Sequence, residues 1–158
     1  MKQTLVFIIV LMLFSCEYFN VKKTSSEAIL KEELQVFNWN DVDEYPSFTE
    51  CDSLLLKEEK KVCFQNVLTT NICKYLKDEK LIVTQDIKDT INLHFKISKK
   101  GEIFLMDFDM DSLTKLEIPN IKELINKSLD SFPQIFPAIK RGQQVTTEFN
   151  LPVIINVN

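Results

Sequence analysis

The chain has 158 residues and a formal net charge of −4, which predicts one ordinary domain with a hydrophobic core. The negative charge argues against a nucleic-acid partner, because nucleic acids attract clustered positive charge. The 2 glycines in the sequence, Gly101 and Gly142, are too far apart to form a phosphate-binding loop.

The first residues have the pattern of an export signal. Lys2 precedes an unbroken apolar run over residues 5–14, which is too short to cross a bilayer of about 30 Å and is typical of a signal peptide. The run ends in Leu13-Phe14-Ser15-Cys16, which resembles the lipobox of bacterial lipoproteins. The resemblance implies that residues 1–15 are removed and that Cys16 carries the lipid. An ordinary signal peptide cleaved nearby, or a short retained anchor, is the alternative.

Residues 16–40 are interpreted as a lipid-anchored tether and N-terminal extension. The polar stretch 22–26 suits a short tether, and residues 27–35 are expected to form two helical turns. Trp39 lies outside the periodic segments, and we expect it to pack the extension, with a partner contact as the alternative. Residues 41–158 are the predicted domain.

Three cysteines follow Cys16, and an exported protein meets an oxidising compartment in which disulfides form. Cys63 and Cys73 fall on one predicted helix about 15 Å apart, too far to bond. Cys51 precedes that helix and can fold back onto it. Cys51–Cys63 is therefore the favoured disulfide, with Cys51–Cys73 as the alternative, and Cys73 is expected to be a buried, inert thiol.

Two amphipathic helices are predicted from apolar residues at three- and four-residue steps. The first covers residues 58–76. The second covers residues 119–132, because Pro119 suits the first turn of a helix and Pro133 follows its end.

Three strands are predicted from alternating apolar residues. Residues 90–98 alternate strictly, Gly101 supplies a hairpin turn, and residues 102–110 follow with Phe104 and Met106 on the core side. Residues 145–157 form the longest alternating stretch. The resulting order predicts an α+β domain of two layers, with a three-stranded antiparallel sheet and both helices on one face.

No catalytic residue, metal ligand or cofactor is predicted. His94, the single histidine, lies on the solvent-facing side of a strand. The acidic run 107–111 resembles the start of a calcium loop, but Ser112 and Ile118 stand where the loop needs glycine and glutamate. We interpret the run as the acidic face of a strand. The phenylalanines predicted to pack in the core are Phe64, Phe95, Phe104, Phe108, Phe132, Phe136 and Phe149.

Three blocks of sequence resemble the TonB C-terminal domain family. Residues 42–48 with Cys51 resemble the lead-in to the first helix of the family, and residues 95–103 resemble its first hairpin. Residues 132–145 are the most specific block, because two prolines, a glycine and a strand stand at matching spacings. The segment 77–90 departs from the family pattern, since it lacks a tyrosine-proline pair and a glycine.

The resemblance implies a protein-binding role by β-augmentation, in which another chain pairs with the edge of the sheet. The expected partner is an envelope protein, such as the periplasmic segment of an outer-membrane receptor. The expected location is the outer membrane, facing the periplasm. The residues of the predicted partner-binding edge are Val145, Thr147, Phe149, Leu151, Val153, Ile155 and Val157.

Two features argue against energy transduction, namely the lack of a long proline-rich spacer and of a predicted transmembrane helix. Pro152 removes one donor from the predicted edge and interrupts pairing there. The alternative function is a structural envelope lipoprotein that reuses the fold without a transport role. An enzyme is the least favoured class.

Overall fold

The computed structural model describes residues 35–157; the expected signal peptide, Cys16 and the helical turns expected over 27–35 lie outside the described residues. Short 3-10 turns cover Trp39–Asp41 and Thr49–Cys51. The helices and strands are β1 (Val36–Asn38), β2 (Ser47–Phe48), α1 (Lys57–Asp78), β3 (Ile87–Ile97), β4 (Ile103–Asp109), α2 (Ser112–Glu117), α3 (Ile121–Leu129), β5 (Ile135–Phe136), β6 (Ala138–Lys140) and β7 (Gln143–Val157).

The main sheet is built around β7 and β3. These two strands are antiparallel over eleven residue pairs, from Ile87 opposite Val157 to Ile97 opposite Thr147. β4 pairs with the other side of β3, β1 pairs with β7 in parallel, and β6 pairs with the start of β7. The prediction of three strands is wrong, because the sheet has five strands. The two additional strands are three residues each, too short to give a periodic pattern.

The buried side of the sheet follows the alternation in the sequence. In β3, the side chains of Ile91, Leu93 and Phe95 are fully buried, whereas Asn92 between them is exposed. α1 contacts β7, and α3 contacts both α1 and β4. The α+β class predicted from the sequence is confirmed.

β4 contains a bulge at Met106, because Leu105 and Asp107 lie opposite consecutive residues of β3. A bulge inserts one unpaired residue and shifts the alternation of side chains. Phe108 therefore packs against the core, whereas Phe104 and Met106 are each 47% exposed. The prediction that Phe104 and Met106 face the core is wrong for this reason. Phe136 is also 40% exposed, contrary to expectation.

The helical predictions hold for α1 and need correction for the second helix. α1 buries Phe64, Leu68, Ile72 and Leu76, one residue every four, which makes the predicted stripe. The predicted helix 119–132 appears as the shorter α3, and α2 is an additional helix that precedes Pro119. A proline disfavours the helical conformation of the residue before it, so α2 ends where it does.

Residues 35–40 of the N-terminal extension, the part that the structure describes, belong to the same compact unit as the predicted domain. Trp39 is 5% exposed and stacks on Phe149 with ring centroids 4.5 Å apart. It also contacts the rings of Tyr45 and Phe64. The expectation that Trp39 packs the extension is confirmed, and the expected domain boundary at residue 41 is too late, because β1 already pairs with β7.

The favoured disulfide is present. Cys51 and Cys63 are bonded and tie the second 3-10 turn to the start of α1. Cys73, at the centre of the second half of α1, is a free thiol. It is half-buried rather than buried as predicted.

Candidate functional site

The last nine residues of β7, Phe149–Val157, pair only with β3 among the residues that the structure describes. We call this segment the open edge. It is shorter than the edge predicted from the sequence, because Val145 pairs with Ala138 of β6 and Thr147 with Phe37 of β1. At about 3.3 Å per residue, the open edge is about 30 Å long.

Pro152 indicates which backbone groups face away from β3. Proline has no N–H and is tolerated in a sheet where its nitrogen faces an unpaired edge. Since the backbone groups of a strand point alternately to its two sides, the N–H groups of Asn150, Ile154 and Asn156 share the direction of the Pro152 nitrogen. The open edge therefore presents donors on both sides of Pro152, together with the carbonyl groups of the same residues.

A groove of about 290 Å³ lies between α1 and the end of the open edge. We call it the α1–β7 groove. Its lining combines apolar side chains with two lysines and includes backbone of the open edge itself. The lining residues are Cys73, Leu76, Lys77, Lys80, Leu81, Ile154, Ile155, Asn156 and Val157.

The charged groups at the α1–β7 groove are cationic. Lys77 and Lys80 line it, and among residues 35–157 no Asp or Glu does. The nearby carboxylate of Glu79 accepts a hydrogen bond from the hydroxyl of Tyr75, which raises the pKa of that hydroxyl. Burial raises the pKa of the Cys73 thiol, and Lys77 partly offsets this effect, so the thiol is protonated near neutral pH.

A second depression, of about 400 Å³, lies where β1 ends beside the start of the open edge. We call it the polar recess, because Asn38, Asn40, Asn150, His94 and Glu148 are among the residues that line it. The imidazole Nε2 of His94 is 3.5 Å from Glu148 Oε2. The open edge is thus flanked by a polar recess at one end and a cationic, apolar groove at the other.

The structure places His94 and the acidic run 107–111 beside each other, on β3 and on β4 with the residues after it. His94 lies opposite Asp107 of β4 and Asn150 of β7 in the sheet ladder, on the partly exposed face. Asp111 accepts a hydrogen bond from the backbone N–H of Leu113 and caps α2. Within residues 35–157, no group of three or more His, Cys, Asp or Glu side chains is placed to hold a metal ion.

Across residues 35–157, no helix combines the length and the apolar character needed to cross a bilayer.

The α1–β7 groove was missed by sequence reasoning. The signal that could have found it is the free cysteine: Cys73 stands on α1 one residue after the buried Ile72, next to the apolar stripe. A half-buried cysteine beside that stripe marks the border of the packed surface of α1. The α1–β7 groove lies at this border.

Comparison of the chain with protein-family models, curated proteins and solved structures gives no match.

Proposed function

We propose that the protein is a lipid-anchored, non-enzymatic interaction module of the bacterial envelope that binds an extended segment of another envelope protein along the open edge. The single observation that carries this proposal is the edge of Phe149–Val157, which pairs only with β3 within the described domain. Unpaired N–H and C=O groups on an edge are a template for a further strand.

Natural proteins usually protect such an edge with charges, prolines or a covering element. Here Pro152 is the only proline in the open edge, and none of its nine residues is charged. The exposed Ile154, at 68%, increases the apolar surface beside the unpaired backbone. Within residues 35–157, Pro152 is therefore the one protective feature of this edge, and we propose that a partner covers the edge in the cell.

The resemblance to the TonB C-terminal domain family supports the same role, since it implies binding by strand addition. On that basis the proposed partner is the periplasmic segment of an outer-membrane receptor or of another envelope protein. The proposed location is the outer membrane, facing the periplasm, with Cys16 carrying the lipid. Two acyl chains on one residue would anchor the protein stably.

The test is a pair of variants at Ile154 combined with photo-crosslinking in intact cells. A photoreactive residue at position 156 should give a discrete crosslinked protein. Ile154→Pro removes an outward N–H without removing a bond to β3, so the crosslink should disappear. Ile154→Thr keeps that N–H and should leave the crosslink unchanged.

A photoreactive residue in place of Leu116, which is 74% exposed on α2, serves as the positional control. A crosslink from position 156 that survives Ile154→Pro would reject strand addition at this edge. Crosslinking of the same proteins from positions 156 and 116 would show contact without a defined docking edge, and would reject the proposal as well.

A further inference from the structure

We infer that the partner segment places an aliphatic side chain in the α1–β7 groove and a carboxylate beside Lys77 and Lys80. This inference rests on the proposed function and specifies the chemistry of the segment that it binds. It follows from the position of the groove relative to the open edge, and not from the edge alone.

The α1–β7 groove is lined by residues of α1 and of the end of the open edge. Side chains at the same level of neighbouring strands point to the same face of a sheet. Leu151, Val153 and Ile155 are buried on the face that α1 covers. A partner residue opposite Ile155 would therefore point to the α1 side, and the groove beside Ile155 and Val157 is the space that its side chain would enter.

The walls of the α1–β7 groove are mostly apolar. Cys73, Leu76 and Leu81 line the groove from α1 and the turn after it. Leu76 is 5% exposed, so the floor of the groove continues into the core. A polar side chain placed there would lose its hydration without gaining a partner, whereas an aliphatic side chain gains by leaving water.

Two lysines give the α1–β7 groove a positive charge. Lys77 and Lys80 are both exposed, and they are the charged residues that line the groove. A carboxylate two residues from the aliphatic residue of the partner segment would point to the same face of the sheet, toward the two ammonium groups. Exposed ion pairs are individually weak, but reversing both lysines replaces two attractions by two repulsions, so the affinity should change by about tenfold.

The test uses nine-residue peptides. The backbone N–H groups that would point away from β7 are methylated, so that the peptides cannot pair with one another. The first peptide has valine at the positions that face α1, except for glutamate two residues before and two residues after the valine opposite Ile155, so that both carboxylates also point to the α1 face. The second peptide has lysine in place of both glutamates, and the third has serine in place of that valine. Binding to the intact protein, purified from membranes in detergent, is measured by fluorescence anisotropy.

The first peptide should bind about tenfold more tightly than the second or the third. Lys77→Glu with Lys80→Glu should reverse the order of the first two peptides. The matched control, Lys100→Glu with Lys115→Glu, changes net charge equally at a turn and a helix that do not line the groove, and should leave the order unchanged. Equal binding of all three peptides, or reversal by the control pair, would overturn the inference.

Cys73 supplies a second readout. A peptide cysteine opposite Ile155, carried as a disulfide with thionitrobenzoate, should react with Cys73. In alkaline buffer the Cys73 thiol gives its proton to the buffer base, the thiolate attacks the peptide sulfur, a new S–S bond forms, and thionitrobenzoate leaves with the electron pair of the old bond. The coloured thiolate should appear at least tenfold faster than from a peptide cysteine one position away. Equal rates at both positions would overturn the inference, and Cys73→Ser is the blank.

These results separate the inference from the proposed function. If all three peptides bind equally and Ile154→Pro abolishes their binding, the inference about the groove is rejected and the proposal of strand addition at the open edge is retained. Failure of every peptide to bind would reject both. If sedimentation shows a dimer that Ile154→Pro dissociates, a second copy of the protein occupies the open edge. If residues 17–34 protect the backbone N–H groups of the open edge, the N-terminal segment of the same chain occupies it. Either result would overturn the inference of an acidic, aliphatic partner segment.

Discussion

The disulfide between Cys51 and Cys63 is expected to supply a large part of the stability of the domain. The two cysteines are separated by 12 residues, so the bond closes a loop of about 13 residues in the unfolded chain. The loop-closure relation gives an entropy of about 10 cal/mol/K, which corresponds to about 3 kcal/mol at room temperature. Folded domains have stabilities of about 5–15 kcal/mol, so this contribution is substantial.

The perturbation is Cys51→Ala combined with Cys63→Ala, compared with Cys73→Ala alone. In urea denaturation the double variant should lose about 3 kcal/mol, and its denaturant dependence should increase because the unfolded chain becomes more expanded. With an unfolding entropy of about 2.1 cal/mol/K per residue, the melting temperature should fall by about 10 °C. Cys73→Ala should change stability much less, because Cys73 is only half-buried and unbonded.

The reasoning would be refuted if the double variant lost less than about 1 kcal/mol. Chemical reduction of the unsubstituted protein is an independent check, because it opens the loop and keeps both cysteine side chains. A large loss in the double variant without a comparable loss on reduction would assign the effect to packing around Cys51, which is fully buried.

Three further predictions concern packing, ionisation and backbone conformation. Trp39→Ala should cost about 3–5 kcal/mol and raise amide exchange in β1, because the ring joins β1 to Phe149; unchanged exchange would contradict this. Burial alone would raise the pKa of Asp89, but hydrogen bonds from Thr114 and from the backbone N–H groups of Asp111 and Thr90 outweigh it and lower the pKa. The resulting stability is present above the pKa of the unfolded state, about 3.9, and is lost as the pH falls through the lower pKa of the folded state. Asp89→Asn should therefore lower the free energy of unfolding by about 1–2 kcal/mol at neutral pH and reduce the loss of stability that accompanies acidification. An unchanged loss of stability in acid would exclude Asp89 as its source. Gly101→Ala should destabilise far more than Gly142→Ala, although both glycines have positive φ, because a Cβ at 101 would overlap the Ile135 carbonyl whereas one at 142 meets nothing within 4 Å; equal losses of stability would contradict the overlap.

The long periodic elements could be predicted from the sequence because each has one face against the core. α1, β3 and β7 appear at nearly the predicted positions, and the favoured disulfide is present. Their patterns extend over many residues, so a single irregular position does not hide the period.

The short elements could not be predicted because their positions depend on contacts distant in sequence. β1 is three residues long and exists through pairing with β7, more than a hundred residues later. The bulge at Met106 depends on which β3 residue each β4 residue faces, which a single-strand pattern does not contain. α2 is six residues long, and Asp111, its capping residue, was interpreted as part of a strand.

The extent of the open edge also depends on contacts distant in sequence. The alternation over 145–157 identified β7, but its neighbours decide how much of its edge is open. β6 and β1 cover its beginning, which leaves Phe149–Val157. The α1–β7 groove depends on the distance between a helix and a strand, a quantity that neither pattern contains alone.

The parallel arrangement of β1 has a mechanical consequence. β1 lies beside Thr146, Thr147 and Glu148, and the open edge starts at the next residue of the same strand. A pull between the N-terminal side of β1 and a partner on the open edge would load β7 from both directions. The hydrogen bonds of β7 with β1 and with the partner run across that line of force and would carry the load in shear, where several bonds must break together. A link between a membrane and a binding partner would therefore resist tension through one strand, without passing the force through the helices.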